Sequence, residues 1–295
     1  MIAFNKYYNH FNLLSSILIV VSLLLLIFKG LNFGIDFKGG TLIELRASDS
    51  KINVSSLRDR FNQMDLGDVS VKKFGNDTDF LVKFENKDNK KNIIEEIKAS
   101  LDKSFGNNYD FRRVENVGPK VSAELLKSGV IAISLSLALM LIYIWIRFEW
   151  QFSLGAILAL FHDVIVTLGV FSLFSLEINL SIIAAILTIV GYSMNDTVVI
   201  FDRVRENLRK YSDIKIFELT NISINETLSR TIITSVTTLL ALLSIFIFGG
   251  AILKGFSFAM ILGVIVGTYS SIYIANPILV RLNVSQKTIL KEEKE

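Results

Sequence analysis

The chain has 295 residues, 51% of them apolar, with no Cys, 2 His and a mean hydropathy of +0.49. Its charge is unevenly distributed, because residues 34–127 hold 17 of the 31 Lys+Arg and 16 of the 28 Asp+Glu. A charged segment inside an otherwise apolar chain excludes an ordinary cytosolic enzyme, a secreted disulfide scaffold and a disordered protein.

Composition and motifs exclude several kinds of site. Without Cys there are no thiol nucleophiles, disulfides or Cys-ligated metals, and His10 and His162 are too few and too far apart for a typical zinc site. No G-x-x-x-x-G-K-[ST] loop is present, and no basic stripe with aromatic residues indicates nucleic-acid binding. We therefore expect no metal, no cofactor, no nucleic acid and no enzymatic activity.

The first apolar run, Phe11–Phe28, approaches the roughly 20 residues that cross a bilayer as a helix. Lys6 precedes it, as in a signal peptide, but Phe28-Lys29-Gly30-Leu31 offers no A-x-A-like cleavage site and the run is long for a signal peptide. We expect an uncleaved anchor, in which residues 1–33 form a cytoplasmic N-terminus and the first transmembrane helix.

The charged segment, residues 34–127, is predicted to be an extracytoplasmic α+β domain. Its predicted elements are a strand at Thr41–Ala47, a helix at Ser55–Met64 capped by Ser55 or Ser56, strands at Val69–Phe74 and Phe80–Phe84 around the turn Gly75-Asn76-Asp77-Thr78, a helix at Asn89–Phe105 and a strand at Tyr109–Val117. This βαββαβ order is typical of the ferredoxin-like fold. The balanced charges indicate a solvated surface, without a catalytic constellation.

Five further apolar runs give the fold class of a polytopic α-helical membrane protein with six transmembrane helices. The runs are Gly129–Ile146, Phe152–Leu176, Ile178–Phe201, Thr231–Leu253 and Gly255–Val280. Residues 128–281 are therefore predicted to be a five-helix transmembrane domain, and residues 282–295 a C-terminal tail. Lys and Arg concentrate between the fourth and fifth spans and in this tail, so the positive-inside rule predicts that both termini are cytoplasmic.

Ionisable side chains within these runs are costly in a bilayer, so each is a candidate functional residue. Asp196, Arg230, Asp163 and His162 form a candidate proton relay, with Ser193, Asn195, Thr197 and Thr234 as polar neighbours. In one interpretation the carboxyl of Asp196 gains and loses a proton, and Arg230 tunes it. In the other, Asp196 and Arg230 form a static pair between helices, and His162 or hydroxyl groups satisfy Asp163.

Two further motifs lie in the predicted membrane domain. Asp202, Arg203, Arg205 and Glu206 most simply anchor the fourth span at the cytoplasmic interface, and could instead dock a partner. Gly263-x-x-x-Gly267 in the last span is a small-residue pattern that is typical of helix packing.

Taken together, the motifs resemble those of the SecD–SecF family of protein-export membrane proteins, which is related to the RND transporter superfamily. The resemblance is carried by Phe33-Gly34-Ile35-Asp36-Phe37-Lys38-Gly39-Gly40-Thr41, Arg147-Phe148-Glu149-Trp150, Leu160-Phe161-His162-Asp163-Val164, the stretch from Gly191 to Asn207, and Ser229-Arg230-Thr231-Ile232-Ile233-Thr234-Ser235. It covers nearly the whole chain and marks Gly34, Asp36, Gly39 and Gly40 as the family motif after the first helix.

The resemblance implies a subunit of the protein translocation machinery in a bacterial cytoplasmic (inner) membrane. A separate SecD chain and the SecYEG channel would be its partners, with preprotein in transit, and the proton-motive force would promote export. Asp196 and Arg230 occupy the positions that belong to the family's proton pathway. Since the sequence contains one six-span half, we expect a SecF chain separate from SecD and not the fused two-half form.

Two other functions would account for some of these features. An RND-type exporter of lipids or small molecules would share the membrane motifs, but usually has two six-span halves and large external domains. An intramembrane aspartyl protease would need Asp163 and Asp196 close together. No G-x-G-D motif is present, and the two residues are expected to differ in depth by roughly 9 Å.

Overall fold

The computed structural model describes residues 1–48, 52–74, 76–84, 93–211 and 213–288, without the side chains of residues 74, 251 and 252. The chain divides into two compact units. The helical unit comprises Met1–Asn32 and the chain from Ile131 onward, and the sheet unit comprises Phe33–Val130.

Helices account for most of the chain. The α-helices are α1 (Tyr8–Phe28), α2 (Ile35–Lys38), α3 (Val54–Asn62), α4 (Ile93–Phe105), α5 (Pro119–Arg147), α6 (Trp150–Leu173), α7 (Leu180–Lys210), α8 (Ile216–Phe248), α9 (Gly250–Ser270) and α10 (Asn276–Arg281). A 3₁₀ turn at Phe4–Tyr7 leads into α1, and a π-helical turn at Ser271–Ala275 joins α9 to α10. The strands are β1 (Asn32–Phe33), β2 (Gly40–Ala47), β3 (Val69–Phe74), β4 (Asn76–Phe84), β5 (Tyr109–Val117) and β6 (Glu177–Ile178).

Six helical segments of the described chain are long and apolar enough to cross a membrane, as the sequence predicts. They are Phe4–Phe28, Pro119–Arg147, Trp150–Leu173, Leu180–Lys210, Ile216–Phe248 and Leu253–Arg281. The predicted boundaries were wrong where charged residues continue a helix. α7 extends to Lys210 rather than ending at Phe201, and α8 begins at Ile216 rather than Thr231. Arg, Lys and Glu favour helices almost as much as Leu does, so hydropathy marks the apolar part of a helix and not its ends.

Helices of the helical unit approach one another closely at several glycine positions. A Cβ on Gly169 of α6 would collide with Ser22 of α1, and a Cβ on Gly263 of α9 would collide with Ile189 of α7. Four residues after Gly263, Gly267 brings α9 against Ser193, where a Cβ would lie 3.0 Å from the serine Cβ. The predicted small-residue packing of the last span is therefore a contact with the helix that carries Asp196.

The last transmembrane segment changes its winding around Asn276 and Pro277. Pro277 has no backbone N–H and disfavours α geometry in the residue before it. The Asn276 side chain donates to the backbone carbonyl of Ser271 at 2.7 Å, across the π turn. Ser271 begins this π turn, directly after Ser270 at the end of α9, and such turns are frequent at functional sites.

The sheet unit contains a four-stranded antiparallel sheet in the order β3-β4-β2-β5. Alternation along β2 and β4 sends Ile43, Leu45 and Val82 to one face, where they are almost fully buried with side chains of α3 and α4. The element order along the chain is β2-α3-β3-β4-α4-β5. The central strand β2 therefore pairs with strands that lie far from it in sequence.

Most predicted elements of the sheet unit are present with shifted ends. Asn53, rather than Ser55 or Ser56, caps α3, and its side chain accepts from the backbone N–H of Ser56. Asn76-Asp77-Thr78 was predicted as a turn but belongs to β4. The pairing of β3 with β4 continues beyond the apolar residues of both strands. Gly75 and residues 89–92 of the predicted α4 lie outside the described residues.

Candidate functional site

A buried carboxyl at Asp163 connects three helices of the helical unit. Its side chain is completely buried. His162 Nδ1 lies 2.9 Å from Oδ1, while Ser193 Oγ of α7 and Ser270 Oγ of α9 donate to Oδ2 at 2.5 and 2.7 Å. A carboxylate satisfied by several donors is the form in which a buried charge is tolerated. Asp163 is therefore the centre of a polar cluster that joins α6, α7 and α9.

Asp196 lies on α7 one turn after Ser193, and its surroundings differ. It is 4% exposed, Thr268 Oγ1 donates to its Oδ2 over a long 3.4 Å, and the Ser235 hydroxyl and the charge of Arg230 also act on the carboxyl. Thr268 in turn shares a 2.8 Å hydrogen bond with Ser235 of α8. Asp196 thus belongs to a second, weaker polar chain that runs from α7 through α9 to α8.

The hydroxyl of Thr197 links α7 to the π turn between these two carboxyl groups. It lies 2.8 Å from Ser271 Oγ, and Ser271 also donates to the carbonyl of Gly267 at 2.8 Å. The predicted polar neighbours of the relay therefore have different partners. Ser193 serves Asp163, Thr197 serves Ser271, and Asn195 is exposed.

His162 has one ring nitrogen on Asp163 and the other, Nε2, buried without a hydrogen-bond partner in the described structure. Its ring lies 6.0 Å from that of Tyr269, centroid to centroid. The Tyr269 hydroxyl donates to the backbone carbonyl of Phe11 and shares a hydrogen bond with Ser15, both on α1. His162 therefore faces a contact between α9 and the first helix.

Arg230 does not form the ion pair with Asp196 that one interpretation of the sequence predicted. Among the described residues no ion pair within 4.0 Å joins them, and Arg230 is exposed on α8. The hydroxyl of Thr234 donates within its own helix, to the carbonyls of Arg230 and Thr231. The exposed Arg230 side chain lies at the start of the apolar part of α8, where its charge still acts on the Asp196 carboxyl without forming an ion pair.

Four polar residues of the last span were missed by sequence reasoning: Thr268, Ser270, Ser271 and Asn276. Each is hydrogen-bonded within the clusters just described or across the π turn. The available signal was the run Thr268-Tyr269-Ser270-Ser271 inside an otherwise apolar segment. Hydroxyl residues in membrane helices commonly bind their own backbone, so residue type alone does not reveal an interhelical partner.

The predicted anchor residues form pairs between helices. Asp202 pairs with Arg147 of α5 at 3.0 Å, and Arg205 pairs with Glu149 at 3.0 Å. Arg203 pairs with Glu226 of α8 at 2.7 Å and with Glu206 at 2.6 Å. These charges tie α7 to the α5–α6 turn on one side and to α8 on the other.

The glycine motif after the first helix forms a tight entry to the sheet unit. Gly34 caps α2, whose first turn contains Asp36. Gly39 (φ 79°) and Gly40 (φ 128°) have backbone conformations that side chains oppose, and a Cβ on Gly39 would approach Ser122 Oγ and the Val117 carbonyl at 3.3 Å. The motif thereby places β2 against the junction between β5 and α5.

Comparison with known proteins identifies the family. A family model described as protein export membrane protein SecD/SecF, C-terminal, matches residues 96–285, and one described as the SecD/SecF GG motif matches residues 24–51. The chain belongs to the SecF branch of the SecD/SecF family. The glycine motif and the polar clusters of α6, α7 and α9 are thus features of a SecF-family protein.

Curated relatives cover almost the whole chain. Protein translocase subunit SecF of Rickettsia bellii is 48% identical over 266 residues, which is 88% of each chain. The same subunit of Cereibacter sphaeroides is 44% identical over 293 residues, covering 95% of this chain and 89% of its own.

Two solved structures of SecDF are similar to this chain. The crystal structure of SecDF, a translocon-associated membrane protein from Thermus thermophilus, matches with a TM-score of 0.84 and 36% identity over 95% of this chain. A super-membrane-facing form of SecDF matches with a TM-score of 0.71 and 35% identity over 99%. The chain spans about two-fifths of the SecDF length, 38% and 40% respectively.

Proposed function

We propose that this SecF-family chain is a membrane subunit of the protein translocation machinery that, together with SecD, uses the proton-motive force to promote preprotein export through SecYEG. The role is transport rather than catalysis. The membrane is the cytoplasmic (inner) membrane of a bacterium, with both termini in the cytoplasm. The sheet unit is an extracytoplasmic ferredoxin-like domain, an inference that its βαββαβ order and its strand order support.

The observation that carries the proposal is the buried carboxyl of Asp196. It is 4% exposed in a helix of a predicted membrane domain, with a long hydrogen bond of 3.4 Å from Thr268. An ionisable group that is retained in such surroundings marks a functional site by default. A weakly held carboxyl can accept and release a proton without dismantling a hydrogen-bond network.

Arg230 supports a SecD partner. It is exposed on α8 together with apolar residues such as Ile233, which is 60% exposed. Charged side chains in membrane helices almost always face a bundle interior, a water-filled cavity or a charged partner. Moreover, more than half of the SecDF length has no counterpart in this chain. We infer that a helix of SecD covers the Arg230 surface of α8.

The test is gradient-driven preprotein export in membrane vesicles that contain SecD and this chain. We expect Asp196→Asn to abolish the stimulation by the proton gradient and to leave export without the gradient unchanged. One proton crossing 100 mV supplies about 2.3 kcal/mol, enough to bias a conformational equilibrium. Asp213→Asn, the same substitution at an exposed loop residue, is the matched control and should behave as the unmodified protein. Full stimulation with Asp196→Asn would refute the proton role.

A further inference from the structure

Arg205 of α7 contacts three consecutive residues, 147–149, in the turn between α5 and α6. Its Nη2 lies 3.0 Å from Glu149 Oε1, its Nη1 donates to the carbonyl of Arg147 at 3.3 Å, and its guanidinium lies 5.4 Å from the ring centroid of Phe148. Glu149 is buried, with its side chain 2% exposed. A planar guanidinium can make these contacts at once, whereas a lysine ammonium cannot.

The same turn is held to α7 by a second set of contacts. Arg147 donates to both carboxylate oxygens of Asp202, at 3.0 and 3.2 Å, and also lies over the Phe148 ring. The Phe148 ring meets that of Phe201 edge-on at 6.0 Å. We call residues 147–149, with Phe201, Asp202 and Arg205, the turn clamp.

The clamp lies at the end of α5, where that helix is most firmly packed. Ile144 and Phe148 are 1% and 4% exposed, and Leu137 and Met140 continue the same stripe as partly buried residues. Elsewhere α5 exposes large apolar side chains, such as Leu139 at 58%. α5 is continuous from Pro119 to Arg147, and its first twelve residues belong to the sheet unit.

We propose that Arg205 is a positioning residue that transmits displacement of α7 to α5, and through α5 to the sheet unit. This inference rests on the proposed function, in which the protonation state of Asp196 shifts α7. Asp196 and Arg205 are on the same helix, nine residues apart. A displacement of α7 therefore moves Arg205, and its contacts with residues 147–149 move the α5–α6 turn in the same direction.

The experiment combines gradient-driven export with a distance measurement in the SecD-containing complex. Because the chain has no Cys, two introduced cysteines at Val121 of α5 and at Phe174, directly after α6, take spin labels selectively, and both positions are exposed and lie outside the α8 surface assigned to SecD. We expect Asp196→Asn, which mimics the neutral carboxyl, to shift the distance between the labels. In a protein that also carries Arg205→Lys, which keeps the charge, Asp196→Asn should no longer shift this distance. Arg205→Lys alone should reduce export in the presence of the gradient to the level measured without it.

Arg203→Lys is the matched control, since Arg203 lies two residues away on α7 but pairs with Glu226 and Glu206. It should retain both the distance shift and the stimulation. Glu149→Gln removes the other partner of the same ion pair and should have the same effects as Arg205→Lys. It provides the test if the Arg205→Lys protein assembles poorly. A distance shift that persists in both clamp variants, or equal losses with Arg203→Lys, would overturn the inference. If Asp196→Asn retains stimulation, the proposed function itself fails.

Discussion

Gly263 of α9 offers a graded test of how packing supports the polar clusters. Gly263→Ala would drive a Cβ into both γ carbons of Ile189 on α7. Ile in a helix holds one χ1 rotamer in about 90% of cases, so its side chain cannot readily swing away. The helices must therefore separate until the added Cβ and the Ile189 carbons are about 3.5–4.0 Å apart. Because these atoms would otherwise overlap, the separation needed is about 1 Å or more.

That displacement has a consequence for Asp163, whose Oδ2 accepts from Ser193 of α7 and from Ser270 of α9 at 2.5 and 2.7 Å. Separating α7 from α9 by about 1 Å pulls these two donors apart, so at least one of the two short O–H···O bonds must lengthen or reorient. Overpacking costs about 1–3 kcal/mol, which corresponds to a fall of about 2–12 °C in the melting temperature.

The assay is thermal unfolding of the purified protein in detergent, followed by gradient-driven export. Gly191→Ala is the control, because its Cβ would meet no heavy atom within 4 Å. Both variants gain the same helix propensity, so their difference isolates the clash. Ile189→Ala removes the opposing γ carbons and should rescue Gly263→Ala in a double-mutant cycle. Equal melting temperatures for Gly263→Ala and Gly191→Ala would refute the reasoning.

Two further predictions concern the sheet unit. Burial and, to a lesser extent, the nearby charge of Lys72 lower the pKa of Lys83 to about 8. Between about pH 8 and the ordinary lysine pKa of about 10.4, the folded state therefore binds fewer protons than the unfolded state. The free energy of unfolding should accordingly rise with pH across that window. Hydrogen exchange of β4 in the full chain should show this rise, and Lys83→Met should remove it; a rise of the same size in the variant would contradict the assignment. Asn53→Ala removes the α3 cap, whose side chain accepts from Ser56 at 2.9 Å, and should cost about 1 kcal/mol. Faster exchange confined to α3 is the expected result, with Asn62→Ala at the other end of the helix as the control, and unchanged protection of α3 would contradict it.

The helices and the strands of the sheet unit followed from patterns that are local in sequence. The apolar runs are long, and β3 and β5 have the predicted bounds, Val69–Phe74 and Tyr109–Val117. The two helix ends around the loop at residues 211–215 were not predictable in this way, because charged residues extend helices without raising hydropathy. Local patterns thus determine which segments form elements, and charge patterns only weakly determine where they end.

The partners of individual polar residues could not be predicted, since they depend on which helices meet. Ser193 and Asp196 are three residues apart and share one side of α7, and the sequence predicted Ser193 as a polar neighbour of the relay without indicating which carboxyl it would bind. In the structure α6 brings Asp163 to Ser193, while α9 brings Thr268 to Asp196. The exposure of Arg230 could not be predicted for the same reason, since it too depends on how the helices pack.

The two buried carboxyls differ in what a proton would change. Asp163 has His162 Nδ1 on one oxygen and two hydroxyl donors on the other. Protonation would turn an acceptor into a donor, so at least one of these groups would have to turn away or find another partner. At Asp196 the hydroxyls that act on the carboxyl, those of Thr268 and Ser235, also share a 2.8 Å hydrogen bond with each other, so each has an alternative partner. Proton uptake at Asp196 therefore requires less rearrangement, and Asp163 is better suited to holding α6, α7 and α9 together while Asp196 changes state.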